Sequence, residues 1–250
     1  GNYRPMSILP VLSKVLEKAV NSQLRDYLER NHILFDFQSG FRANFSTDTC
    51  LISLTDYIRS ETARGNVTGM VLIDLQKAFD TCDHGILLKK LQVMGVSSID
   101  WFRSYLSQRR QCVQVGNTCS SFSEISCGVP QGSILGPTLF LCYINDMSMV
   151  LKCHLALYAD DSALLASGPN SVDVARFLSE QLENCRLWLI DNRLSLHLGK
   201  TECIIFGTNR KVKNANFQVL CGDSIVKRVT SVKYLGVILE QSLNFKEHAS

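Results

Sequence analysis

The stretch "HLALYADDSALLAS", residues 154–167, sets two adjacent carboxylates, Asp160 and Asp161, inside an otherwise apolar run. Leu155, Ala156, Leu157 and Tyr158 precede them, and Ala163, Leu164 and Leu165 follow. Apolar, then charged, then apolar over 14 residues predicts a β-hairpin with Asp160 and Asp161 at its tip. Adjacent like charges flanked by core strands are costly, because a carboxylate stripped of water must find a partner. Hard divalent cations supply one. Mg²⁺ takes carboxylate and phosphate oxygens, and two such ions about 3.5–4 Å apart stabilise the attacking and leaving oxygens of a phosphoryl transfer.

Such a site needs further carboxylates on converging rigid elements, and Asp74 in "MVLIDLQKAFD" (70–80) is the candidate. It too is a lone charge at the end of an apolar strand. If that strand lies beside the hairpin, Asp74, Asp160 and Asp161 meet at one sheet edge. The residue types alone leave other readings open. Aspartate is common in turns, so the pair is equally a turn, and Asp74 is equally a cap for the helix that follows.

Composition is that of a globular chain with a substantial core: 250 residues, 46% of them hydrophobic and 20% charged. The formal charge of +3 permits a nucleic-acid partner without demanding one. Ten cysteines are scattered singly with no CxxC pair, which argues against a zinc ribbon or a dithiol redox motif and for reduced, intracellular thiols. No apolar run approaches the ~20 residues that span a bilayer, so no membrane partner is expected. The opening "GNYRP" and closing "FKEHAS" read as the ends of a segment cut from something longer.

Leu9, Leu12, Leu16, Val20, Leu24 and Leu28 recur at steps of three or four, an amphipathic helix with Lys14, Glu17, Lys18, Arg25 and Glu29 left for solvent. Ser46 to Asp48 offer N-caps for a second helix carrying Leu51, Leu54 and Ile58. Val71, Leu72 and Ile73 form a strand buried on both faces. "PTLFLCYINDMSMVL" (137–151), apolar nearly all round, is a buried helix opened by Pro137. "VDVARFLSEQLENCRLWLIDN" (172–192) is again amphipathic, and "TECIIFG", "FQVLCG" and "VKYLGVILE" close the chain as short strands. Helices and strands mix without regular alternation, so the fold class is α+β rather than a doubly wound sheet.

Seven segments, taken in order, resemble the motifs of reverse transcriptases and cover nearly the whole chain. "NYRPMSILPVLSKVLEK" and "FQSGFRANFSTDT" are similar to the finger motifs, "VLIDLQKAFDTCDH" to the first palm motif and "GVPQGSILGPTLFLCYIND" to the one after it. "LYADDSALL" is similar to the central catalytic motif, and "LSLHLGKTECIIFG" and "VKYLGVILE" to the last two palm motifs. The wording is most similar to non-LTR (LINE-type) retrotransposon enzymes.

That resemblance implies a right-hand polymerase. Its palm would be a ferredoxin-like antiparallel sheet with helices (67–250, with finger-like insertions at about 85–127), preceded by helical fingers (1–66) and with the thumb largely absent. It implies RNA-directed DNA synthesis on an RNA template and a DNA primer with dNTPs. Asp74, Asp160 and Asp161 would hold two Mg²⁺ ions, with Mn²⁺ as a possible substitute. Phe79, five residues past Asp74, falls where the family places an aromatic gate against the 2′-hydroxyl. Arg4 and Arg42 match finger arginines that clamp phosphates, although Arg42 is equally a brace or a template contact. Gln131 and Gly132 match the segment beside the incoming nucleotide, Lys200 a late palm lysine near the leaving pyrophosphate, and Tyr234, Leu235 and Gly236 the primer grip. Asp83 and His84 are expected to brace the loop after Phe79. Two other readings stay open: a co-opted or decayed nucleic-acid-binding protein, and a maturase-like RNA-binding protein. Cytoplasm and nucleus are the compartments that retrotransposition implies.

Overall fold

The central strand of the main sheet is Val67–Asp74, whose apolar run is buried on both faces, as its lack of alternation requires. The computed structural model describes residues 7–249. In it the strand pairs antiparallel with Asp161–Gly168 on one side and with Glu202–Phe206 on the other. His154–Tyr158 closes the hairpin onto Asp161–Gly168, and Lys227–Arg228 adds a short parallel edge beside Glu202–Phe206. Numbered along the chain, the four long strands lie in the order fourth, first, third, second, that of a ferredoxin-like sheet.

One face of this sheet presents Met70, Ala156, Ala163, Leu165, Ile204 and Phe206 to Cys50, Leu54 and Ile58 of the helix Thr47–Ala63 and to Val232, Tyr234 and Leu239. The helix Ser171–Asp191 packs on the other face, burying Val174, Leu178, Leu182 and Cys185. Gly69 makes that contact possible. A Cβ there would stand 2.6 Å from Leu178 Cδ1 and 2.7 Å from the Phe217 ring.

The helix Thr47–Ala63 begins where the sequence predicts. The Ser46 side chain accepts from Thr49 N while the Thr49 hydroxyl accepts from Ser46 N, a reciprocal capping box. Ser46→Ala leaves one of those amides without its partner and is expected to lower stability by about 1 kcal/mol, read as a shift in the urea midpoint at unchanged slope.

By packing, the chain divides into two compact units. The sheet-bearing unit comprises 35–76, 146–191 and 195–250. The other comprises the chain up to Leu34, 77–145 and 192–194. The helix Thr47–Ala63 packs on the Val67–Asp74 strand and belongs to its unit.

The second unit is built from the helices Val11–Arg30, His84–Val93, Ile99–Leu106 and Gly136–Ile144. The last is buried at every residue but Pro137, which lies in its first turn. Its Cys142 thiol is pushed up to about 12 by burial, so it packs as an inert small hydrophobe.

The helix Val11–Arg30 differs from expectation. Leu12 and Leu16 are exposed, whereas Glu17, assigned to solvent by periodicity, is 1% exposed. Its carboxylate is satisfied by the Tyr105 hydroxyl at 2.8 Å and by Ile134 N at 2.8 Å, so burial costs it little and fixes that face inward. Arg110–Gln111 pairs with Ser123–Glu124 and Gln114–Val115 with Thr118–Cys119, short strands that are exposed throughout. All ten cysteines are free thiols. Among the described residues no helix is long and apolar enough to cross a membrane.

Candidate active site

Three of the predicted residues converge on one edge of the main sheet. Asp74 ends the central strand, and Asp161, the first residue of the neighbouring strand, is its direct register partner. The hairpin tip is Ala159 and Asp160 rather than the two aspartates, because Tyr158 still pairs with Asp161. Asp161 is therefore exposed and Asp160 and Asp74 half-buried, so the edge keeps part of its hydration and the pair is less costly than full burial implies.

Strand pairing places directly opposed residues within about 5.5 Å at Cα, and like charges so placed repel. Lys200 relieves part of that repulsion, with Nζ 3.7 Å from Asp74 Oδ2. The lysine is delivered by the segment after Asn192–Leu194. Gln76 N donates to Ser195 O and His197 N donates to Asp74 O, both backbone bonds, and Lys200 N turns back onto His197 O.

The Tyr234–Gly236 turn belongs to the same unit. Leu235 (φ +48°) and Gly236 (φ +88°) join Ser231–Tyr234 to Val237–Glu240, the two left-handed residues of a type I′ hairpin. Tyr234 is buried, and its hydroxyl is held well above the usual tyrosine range, first by that burial, then by the Cys50 thiol beside it and by the charge of Asp161. The predicted grip and the carboxylate edge thus share one core.

Arg42 is used locally. Its guanidinium donates to Phe35 O (3.0 Å) and Gln38 O (3.3 Å) and lies over the Phe45 ring, clasping the 35–45 loop. In that loop Gln38 and Gly40 are residues that sequence reasoning missed. Gln38 Oε1 accepts from Ala159 N, the amide just before Asp160. Their signal was present in "FQSGFR", a glutamine two residues before a glycine, but nothing local tied it to a turn 121 residues away.

Phe79, Gln131 and Gly132 belong to the other unit. There the first palm motif and the "GVPQG" segment are zipped together: Val129 N donates to Phe79 O and Gly128 N to Cys82 O. Gln131 Nε2 donates to Asp80 Oδ1 at 2.8 Å, so its side chain is engaged within its own unit. Gly132 (φ +98°) has a left-handed conformation that favours glycine. The Phe79 ring stacks on Phe140 with centroids 4.3 Å apart. Asp83 caps the helix His84–Val93 through Ile86 N and pairs with Arg193, and His84 Nε2 donates to Gly128 O. Arg4 lies outside the described residues.

Among the described residues no three His, Cys, Asp or Glu side chains are drawn into a closed ligand set. The donors are hard carboxylate oxygens on neighbouring backbone positions at a partly hydrated edge. That suits Mg²⁺, which keeps waters and substrate phosphates in its shell, and not a structural metal caged by protein.

A ferredoxin-like sheet with opposed aspartates at one edge is consistent with a polymerase palm. The model of the reverse transcriptase (RNA-dependent DNA polymerase) family matches residues 1–239, and the chain belongs to that family. It is 33% identical over 99% of its length to a probable RNA-directed DNA polymerase from transposon BS of Drosophila melanogaster. It is 31% identical over 99% of its length to the RNA-directed DNA polymerase from mobile element jockey of Drosophila funebris. The chain spans 28% of the length of each of these relatives.

Among solved structures, telomerase from Candida albicans is similar over 93% of this chain and 38% of that one, with a TM-score of 0.62 at 14% identity. Telomerase from Candida tropicalis covers 96% of this chain and 38% of its own, with a TM-score of 0.63 at 12% identity. At such identities the likeness is one of fold.

Proposed function

We propose that this chain carries out RNA-directed DNA synthesis for a non-LTR retrotransposon, adding deoxynucleotides to a DNA primer 3′-hydroxyl along an RNA template. The observation that carries the reading is the register pairing of Asp74 with Asp161, beside Asp160, at the edge of a ferredoxin-like sheet. The reverse transcriptase match over residues 1–239 supports it.

Asp74 and Asp160, with Asp161 beside them, would hold the two Mg²⁺ ions. When bound, these ions supply Lewis-acid stabilisation of the attacking and leaving oxygens. The sheet does the rest of the positioning, because strand register fixes where each carboxylate starts. Lys200, already held at Asp74, brings a cation to the edge where negative charge accumulates in phosphoryl transfer. Phe79, stacked on Phe140, is a rigid ring suited to sensing a ribose 2′-hydroxyl. Arg4, Arg42, Gln131 and Gly132 are assigned to nucleotide or template, and Tyr234, Leu235 and Gly236 to the primer, by their places in the motifs. The corresponding compartments are cytoplasm and nucleus.

The test is primer extension on an RNA template, with dNTPs against NTPs and wild type against Asp160→Asn. Wild type should extend with dNTPs. The variant should retain template binding and lose at least ~10³-fold in rate, as expected when several kcal/mol of charge stabilisation disappear. Equal extension by both proteins refutes the reading. Binding without extension by wild type favours a nucleic-acid-binding protein instead, and equal use of NTPs removes the gate assignment of Phe79.

A further inference from the structure

Asp160 takes its place from the residue before it. Ala159 turns the hairpin at φ +57°, in the left-handed region where a Cβ is disfavoured, and it is 5% exposed. An alanine stays there only when its surroundings over-determine it.

The surroundings come from residues 37–40. Gln38 makes a parallel bridge to Leu157: Ser39 N donates to Leu157 O at 2.8 Å, and Leu157 N donates to Phe37 O at 3.1 Å. This segment therefore runs along the outer edge of the hairpin and stops at its tip. There the Gln38 side chain, in a residue 2% exposed, places Oε1 to accept from Gly40 N at 2.8 Å and from Ala159 N at 3.2 Å. Gly40 is what lets the two backbones meet. A Cβ on it would lie 2.4 Å from Ala159 N and 2.9 Å from Tyr158 C, backbone atoms that cannot swing aside.

We propose that Gln38 is a positioning residue for the reaction: its buried carbonyl oxygen pins the amide of Ala159 and so fixes the direction in which Asp160 leaves the turn, with Gly40 providing the necessary approach. The inference rests on the polymerase reading of the carboxylate edge. Gln38 touches neither substrate nor metal in this scheme. It acts through the backbone of the turn, and a misdirected carboxylate weakens the transition state more than it weakens nucleotide binding.

Amide hydrogen exchange on the wild-type chain tests the clamp without any activity. The Ala159 amide should be protected at least ~100-fold over an unstructured amide, and exchange at the free rate overturns the proposal. Gln38→Met keeps length and loses the acceptor. It should lose the Ala159 protection and at least ~10-fold in kcat, with KM for dNTP within about twofold.

Adding Ala159→Gly, which takes positive φ without strain, should restore most of the lost kcat in the double variant. A Gln38→Met protein with full kcat, or a double variant no better than the single, overturns the proposal. Should Gln38→Met fail to fold, the wild-type exchange measurement still decides. A wild-type chain that extends no primer removes the reading beneath the inference, whereas an unprotected Ala159 amide in an actively extending chain removes the inference alone.

Discussion

Asp74→Asn should abolish primer extension, by at least ~10³-fold, while leaving the melting temperature unchanged or raised. The two effects separate because the same carboxylate has opposite consequences for reaction and for fold. As the proposed ligand it would contribute charge that an amide does not supply. As a folded-state group it stands directly opposite Asp161, where like charges destabilise a strand pair, and neutralising it removes that repulsion. What the fold loses is the 3.7 Å pair with Lys200, whose partners are 62% and 38% exposed. Pairs so exposed to solvent contribute little, about 0–1 kcal/mol. The checks are thermal unfolding and primer extension on one preparation. A variant that loses activity only by losing several degrees of melting temperature contradicts the assignment, because its defect is then one of folding.

Gly128→Ala is expected to be the most damaging single methyl group in the helical unit. Gly128 sits at φ +87°, and a Cβ there would stand 2.6 Å from Asp80 O and 2.9 Å from Asp80 C. Left-handed strain costs about 1–2 kcal/mol and overpacking a further 1–3, so a loss of about 2–5 kcal/mol is expected. The backbone on both sides is committed: Gly128 N donates to Cys82 O at 2.7 Å, and Gly128 O accepts from His84 Nε2 at 2.8 Å. Neither strand of the contact relaxes without giving up one of those bonds. Gly116 is the control, since its φ of +59° carries the same conformational preference with nothing within 4 Å of the added methyl. Urea midpoints of Gly116→Ala and Gly128→Ala then separate strain from collision, and equal midpoints refute the collision.

The central strand and the hairpin were legible because their apolar runs have the length and punctuation of buried strands, and Asp74, Asp160 and Asp161 were legible as charges that such strands do not tolerate without a reason. The helix cap at Ser46 was equally plain, because a cap is a local event. What escaped was set by partners far along the chain. Glu17 reads as solvent-facing in its own helix and is buried by Tyr105 and Ile134, 88 and 117 positions away. Gln38 reads as a loop residue and is claimed by Ala159. Asp161 was expected at the tip and instead begins a strand, because a two-residue turn centred on Ala159 and Asp160 satisfies the pairing of Tyr158. Periodicity carries no information about any of these, since each depends on which backbone groups meet in space.

The register of the main sheet also sets a timetable. Val67 pairs with Gly168, and Thr68 pairs with Phe206, so the central strand is made about a hundred residues before its first neighbour and still longer before its second. At roughly 5–20 residues per second of synthesis, "VTGMVLID" waits on the order of 5–20 seconds with both edges unpaired. It carries one charge, at its last position, and it is rich in residues that favour strands, the composition most prone to pair with the wrong chain. The helix Thr47–Ala63, completed before the strand emerges and packed against it in the finished fold, is a cover already made during that interval. Asp74, the proposed ligand, is also the one charge the waiting strand carries.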